Sequence, residues 1–252
     1  MMTGTEIRNR SGESIDYAFH AGSRADVLVI LGHGVTGNKD RPLLVALAEG
    51  LSEIGWPCLR ISFAGNGESE GRFEDSCISK DIRDLQAVLD MVPENTNAVY
   101  AGHSMGGAAG VLTAARDIRV CALVTLAGMT HTAAFVEREF GEVVPNQGFM
   151  WEDESFPLSR TFVDDLTIIG STLPAAEAVT QPWLLVHGDA DDLVPVQDGR
   201  DAFEAATCEK EWLEIAGAGH SFDEATYPEI IRAMDRWLTT HFGGSPGLRH
   251  AD

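Results

Sequence analysis

Five consecutive residues, Gly102-His103-Ser104-Met105-Gly106, have the types and spacing needed for nucleophilic catalysis. They fit G-x-S-x-G between an apolar stretch at 97–101 and a run of small residues at 106–115. A serine on a tight turn from a buried strand into a helix is pushed out at the carboxyl edge of a sheet. The flanking glycines let strand and helix pass close together. The pattern is common by chance, so partners elsewhere in the chain must carry the argument.

A serine nucleophile needs a base, an acid to orient that base, and donors for an oxyanion. His220 suits the base, because Gly217-Ala218-Gly219-His220-Ser221-Phe222 puts an imidazole on a glycine-rich loop after the apolar stretch 212–215. The other histidines fit less well, and His103 is expected to point away from the serine. The acid is sought in His187-Gly188-Asp189-Ala190-Asp191-Asp192-Leu193-Val194-Pro195, where three aspartates compete. Asp191 is preferred because it lies mid-loop. Asp189 is expected to brace the loop through backbone N–H groups, and Asp192 to do the same or to line a cleft. The expected oxyanion donors are the amide of Met105, at the start of its helix, and that of Val35. Val35 lies in Gly32-His33-Gly34-Val35-Thr36-Gly37-Asn38-Lys39, a glycine-rich loop that lacks the G-x-G-x-x-G and G-K-[ST] patterns of phosphate binding.

These residues must be positioned by the elements around them. Short apolar runs recur at 27–31, 58–63, 98–101, 120–126, 183–186 and 212–215, as strands buried on both faces require. Amphipathic helices are predicted at 43–54, 75–91, 106–116, 197–206 and 224–242. The alternation predicts an α/β fold with a doubly wound, mostly parallel sheet. Alternating segments at 5–10 and 14–21, with a turn at Ser11-Gly12, predict an antiparallel pair before it. From 130 to 181 the chain leaves this rhythm for too long to be a plain loop. That segment holds Phe135, Phe140, Phe149, Met150, Trp151, Phe156 and Phe162. It is expected either to pack its own aromatics or to form a lid over a substrate cleft. Phe149, Trp151 and Phe222 are the expected substrate-binding residues. One domain is expected over 1–242, with a disordered tail at 243–252.

Composition narrows the partners. Asp and Glu number 39 against 18 Lys and Arg, a net charge of −21. Such a surface repels phosphate backbones, so no nucleic-acid partner is expected, and anionic substrates are disfavoured. Cys58, Cys77, Cys121 and Cys208 form no C-x-x-C pair, so neither metal nor cofactor is expected. No apolar run reaches the ~18 residues of a membrane span. The first residues lack a basic stretch followed by an apolar core, which argues against a signal peptide. A reduced, cytoplasmic protein is expected, its oligomeric state open.

With these residues in view, the chain resembles the α/β-hydrolase family over about 7–242. Its order Ser104, Asp191, His220 is that family's order. The resemblance also rests on the loop at 32–39, on Phe63-Ala64-Gly65-Asn66-Gly67-Glu68-Ser69-Glu70-Gly71, and on the stretches 102–107, 187–195 and 219–220. Within the family the pattern is most similar to the cinnamoyl and feruloyl esterase branch and its monoacylglycerol-lipase and serine-aminopeptidase relatives. The resemblance implies that the acid is the Asp of H-G-x-x-D-x-x-V-P, here Asp191. Val35 stands where those esterases often carry a larger residue, and Asn66 replaces a common histidine. The expected activity is that of a serine carboxylic-ester hydrolase forming an acyl-enzyme on a small to medium ester, aromatic-acid esters included. The alternatives are an aminopeptidase or amidase with the same triad, its acid-rich lid taking the substrate amine, and a hydrolase-like protein that binds a small ligand.

Overall fold

The computed structural model describes residues 5–243. A hairpin of β1 (Ile7–Arg8) and β2 (Ser14–Ile15) comes first, then β3 (Tyr17–His20), β4 (Val27–Gly32), α1 (Pro42–Glu53) and β5 (Cys58–Ile61). Next come α2 (Ile78–Asp90), β6 (Asn97–His103), α3 (Met105–Ala114) and β7 (Val120–Leu126). An insertion carries α4 (Thr132–Phe140), α5 (Arg160–Ile169) and α6 (Leu173–Ala176). After it follow β8 (Trp183–Gly188), α7 (Val196–Ala205), β9 (Lys210–Ile215) and α8 (Tyr227–Phe242). The tail expected to be disordered lies outside the described residues from 244 onward.

Seven strands form one sheet in the order β3-β5-β4-β6-β7-β8-β9, all parallel except β3. Side chains alternate along each strand, so an apolar run feeds two cores. Leu28 and Ile30 of β4 pack with Leu85 and Val88 of α2 and Val111 of α3. Val27, Val29 and Leu31 pack on the other face with Leu44 and Leu47 of α1 and Met234 and Leu238 of α8. Burying each such side chain stabilises the fold by about 1.5–3 kcal/mol. Helices on both faces make the sheet doubly wound.

The expected amino-terminal antiparallel pair is present but shorter than its two segments. The segment at 14–21 breaks at Asp16. There the backbone N–H bonds to Ser69 Oγ and the carbonyl accepts from Ser62 N–H. These bonds to the 62–70 loop end the β1–β2 pairing, and β3 instead joins the main sheet antiparallel to β5.

Strand order also fixes where a ligand can sit. The chain leaves β4 toward β5 on one side and leaves β6 toward β7 on the other, while β4 and β6 are neighbours. Their loops therefore diverge, and the crevice beyond their carboxyl ends is the usual ligand position in open α/β sheets. Gly32 and Gly102 face each other in register at that edge.

The insertion packs Phe135, Phe140, Met150, Leu158, Phe162 and Leu166 into a core continuous with Met105, Ala108 and Ala109 of α3. Of the two expectations for this segment, the packing of its own aromatics is what the structure describes, and it is built on the helix that follows Ser104. Its first residues are tied to α7, where Asp198 Oδ2 accepts from the N–H groups of Thr130 and His131 at 2.8 and 2.9 Å.

Candidate active site

Ser104 sits between β6 and α3 with φ 56° and ψ −119°, a left-handed backbone that costs a non-glycine residue of order 1–3 kcal/mol. The turn is held from both sides: Ser104 N–H donates to Leu126 O at 3.0 Å, and its carbonyl accepts from Gly107 at 2.9 Å and Met129 at 3.1 Å. The glycines around it serve close approach. A Cβ on Gly102 would lie 2.3 Å from Gly106 O, and one on Gly106 would lie 2.4 Å from His33 O.

Three expected residues come together here. His220 Nε2 lies 3.0 Å from Ser104 Oγ, and His220 Nδ1 lies 2.9 Å from Asp191 Oδ2. The acceptor carboxylate puts the proton on Nδ1, leaving Nε2 to accept from the hydroxyl. Asp191 Oδ1 accepts from the backbone N–H groups of Leu193 and Val194 at 3.0 and 2.8 Å. His187 Nε2 lies 2.9 Å from Val194 O and 3.4 Å from Asp191 Oδ2. Burial works against ionisation of Asp191, but hydrogen bonds from His187 and His220 outweigh it and hold the carboxyl well below its usual range. The other two loop aspartates separate as well. Asp189 Oδ1 accepts from Gly217 N–H, bracing the base's loop, and Asp192 lines the cleft.

The backbone donors sit close by. Among the described residues, the N–H groups of Val35 and Met105 have no hydrogen-bond acceptor. The loop of Val35 is fixed beneath by His33, whose Nδ1 is 2.8 Å from Gly34 O and whose Nε2 accepts from Phe63 N–H at 3.0 Å. Burial pushes His33 down to about 4, so this ring stays neutral and keeps the tautomer that both bonds need. Gly34 brings the loop against the serine: a Cβ there would meet Ser104 Cβ at 2.7 Å.

A cavity of about 740 Å³ opens above Ser104, lined among others by Val35, Phe135, Trp151, Leu193, Phe222 and Tyr227. Trp151 and Phe222 are in its wall as expected. Phe149 is not among its lining residues: its backbone is bridged to Pro157, and the left-handed Trp151 that follows turns the chain so that the Trp151 ring, itself exposed, borders the cavity instead. His103 also departs from expectation. Its ring lies 4.8 Å from that of His220, and its Nε2 donates to His220 O at 2.9 Å. As strand alternation requires, it lies on the face of β6 that carries Val99 and Ala101, with the Phe222 ring at 6.5 Å. Burial foremost, with His220 beside it, pushes His103 down to about 3, so it is a neutral donor. Strand alternation gives the face of His103 but not its partner on the His220 loop, and nothing local marked Arg41 or Tyr227 as cavity residues. His187 was readable only as the first letter of the acid's loop. Among the described residues, no group of three or more His, Cys, Asp or Glu could hold a metal ion.

A profile described as the alpha/beta hydrolase family matches residues 27–233. The chain belongs to that family. In structure it is similar to Est1E from Butyrivibrio proteoclasticus with ferulic acid bound, at TM-score 0.84 and 24% identity, covering 96% of this chain and 100% of that one. It is similar also to a monoacylglycerol lipase from Paleococcus ferrophilus, at TM-score 0.70 and 21% identity, covering 90% and 99%. In sequence, the human mitochondrial palmitoyl-protein thioesterase ABHD10 is 26% identical over 166 residues, 60% of this chain and 52% of its own length. This chain therefore spans about half of that relative.

Proposed function

We propose that this protein is a serine carboxylic-ester hydrolase that works through an acyl-enzyme. The observation that carries the reading is the unbroken relay from Ser104 Oγ through His220 to Asp191, beside two backbone N–H groups without acceptors. In this mechanism His220 takes the proton of Ser104 as Oγ attacks the ester carbonyl. The amides of Val35 and Met105 hold the oxyanion, and His220 returns the proton to the departing alcohol. Asp191, ionised and shielded, keeps the imidazole in the right tautomer and stabilises its charged form. Water then takes the place of the alcohol, attacks the acyl-enzyme with His220 as base, and releases the acid.

Substrate class follows from the wall. Val35, Phe135, Trp151, Leu193 and Phe222 give an apolar lining suited to a small or medium acyl group, aromatic acids included. Relatives bearing the names esterase, lipase and thioesterase support ester hydrolysis as the reaction. The amine-binding alternative loses support, because Glu139, the cavity's lid carboxylate, already accepts from Arg138 and Trp151. A binding protein without turnover would have no use for the left-handed serine. No helix among the described residues is long and apolar enough to cross a membrane. The four cysteines, all free, fit a reducing compartment such as the cytoplasm.

The test is a panel of para-nitrophenyl and hydroxycinnamoyl esters assayed with wild type and Ser104→Ala. We expect turnover that Ser104→Ala loses by up to about 10⁶-fold, the scale seen when triads are dissected. Aminoacyl-arylamide turnover without ester turnover would contradict the reading.

A further inference from the structure

Arg41 is the one Lys or Arg among the described residues lining the Ser104 cavity. Many arginines of this acidic chain lie against carboxylates, as Arg60 does on Asp40 and Arg200 on Glu214. Arg41 does not. Its Nη2 donates to the Thr36 carbonyl at 2.9 Å, with Thr36 Oγ1 at 3.4 Å, and no carboxylate among the described residues pairs with it. The first turn of α1, which starts beside it, carries no acidic residue. The guanidinium is thus anchored through Nη2, while Nε and Nη1, on its two separate edges, each keep a donor free for an anion.

Two carboxylates share the cavity wall. Glu139 is spoken for: Arg138 Nε donates to it at 2.9 Å and Trp151 Nε1 at 3.1 Å. Asp192 is exposed, and among the described residues no hydrogen bond fixes its carboxylate. A bound anion would therefore meet a cation already held in place, whereas a bound cation would have to order Asp192 first. Ordering a charged side chain at binding costs entropy that a pre-anchored group avoids.

We infer that Arg41 is a specificity-determining residue and that the cleft takes an ester carrying a carboxylate, which Arg41 pairs with while Ser104 attacks the ester carbonyl. This rests on the ester-hydrolase reading above. It also revises what net charge alone implies, since one cation without a carboxylate partner, exposed at the cleft wall, turns a repelling surface into a local site for an anion.

The experiment compares kcat/KM for two matched pairs. One is mono-para-nitrophenyl adipate against para-nitrophenyl hexanoate, with the charge on the acyl part. The other is para-carboxyphenyl hexanoate against para-carbamoylphenyl hexanoate, with the charge on the alcohol part. We expect wild type to prefer the anionic member of at least one pair. That preference should fall roughly tenfold or more in Arg41→Gln, as when a charge-assisted hydrogen bond is lost, and be partly kept in Arg41→Lys. High salt should weaken it. Equal ratios in wild type and Arg41→Gln for both pairs, or a preference for a cationic aminoacyl ester, would overturn the inference. If no ester shows Ser104-dependent turnover, the ester reading falls, and calorimetric titration of adipate decides Arg41 by itself. Weaker binding to Ser104→Ala/Arg41→Gln than to Ser104→Ala supports the site, and equal binding overturns it.

Discussion

At the scale of residues, the reacting groups depend on neighbours that touch no substrate. Gly34 has no side chain because a Cβ would lie 2.7 Å from Ser104 Cβ and 3.1 Å from Oγ. Gly34→Ala must push the Val35 loop off the serine, so kcat should fall by about 10²–10³-fold, as when one oxyanion donor is removed. Steady-state kinetics on a short acyl ester, with circular dichroism to verify folding, measure this; unchanged kcat would mean that the Val35 amide does no such work. His103 acts through the base rather than on the ester. Its Nε2 donates to the His220 carbonyl, so His103→Ala should lower kcat by roughly 10–10²-fold, a misplacement cost. His103→Asn, which keeps an N–H donor, should recover part of the loss, and Ala and Asn variants of equal activity would argue against positioning. Ser104, Asp191 and His220 were legible because each follows a strand in a motif with its own letters. His103 was not legible in its role, since alternation gives the face it occupies but not the His220 carbonyl that meets it there from a loop 117 residues away in sequence.

At the scale of elements, the strands were easy to read because burial on both faces leaves an apolar run with no polar phase. β4 and β7 appear almost to the residue. The segment at 14–21 misled because its alternation continues through Asp16, while the partner changes there from β1 to β5. That change is made by bonds to a loop some fifty residues away in sequence, which no local pattern can carry. The insertion was legible as aromatic and helical but not in its details. Trp151 and Glu152 both take left-handed backbones, at φ 49° and 63°. Phe140 packs on the Trp151 ring at 5.0 Å, and its Nε1 donates to Glu139. These contacts oppose a backbone cost of ~1 kcal/mol or more. Trp151→Gly relieves that cost while Trp151→Ala does not, so thermal unfolding should find the glycine variant at least as stable as the alanine one. Both should raise KM for hydroxycinnamoyl esters more than for acetyl esters. An alanine variant more stable than glycine would rule out the strain.

At the scale of the whole molecule, one buried group sets a pH dependence unrelated to the cleft. Asp81 of α2 is fully buried, and among the described residues neither of its carboxyl oxygens has a hydrogen-bond partner. Burial foremost, then the charges of Asp84 and Asp165, pushes it well above the usual carboxylate range. An acid whose folded value is raised keeps its proton in the native state while the unfolded chain loses it near pH ~4. Stability therefore declines as pH rises from about 4 toward the folded value. Asp81→Asn removes that proton dependence. Its melting temperature relative to wild type should be higher at pH 7 than at pH 4, and the same difference at both would contradict the assignment. The opposite sign holds for Asp191, whose contribution is present above about pH 4 and is lost as pH falls toward its lowered folded value.

The proposed function stands or falls with the hydroxyl of Ser104 as the nucleophile. The direct measurement is the intact mass of the protein after treatment with a fluorophosphonate, with the labelled peptide then mapped. One adduct is expected on wild type, located at Ser104, with none on Ser104→Ala and much slower labelling of His220→Ala. An unlabelled wild type, or an adduct of equal yield on Ser104→Ala, would contradict the account.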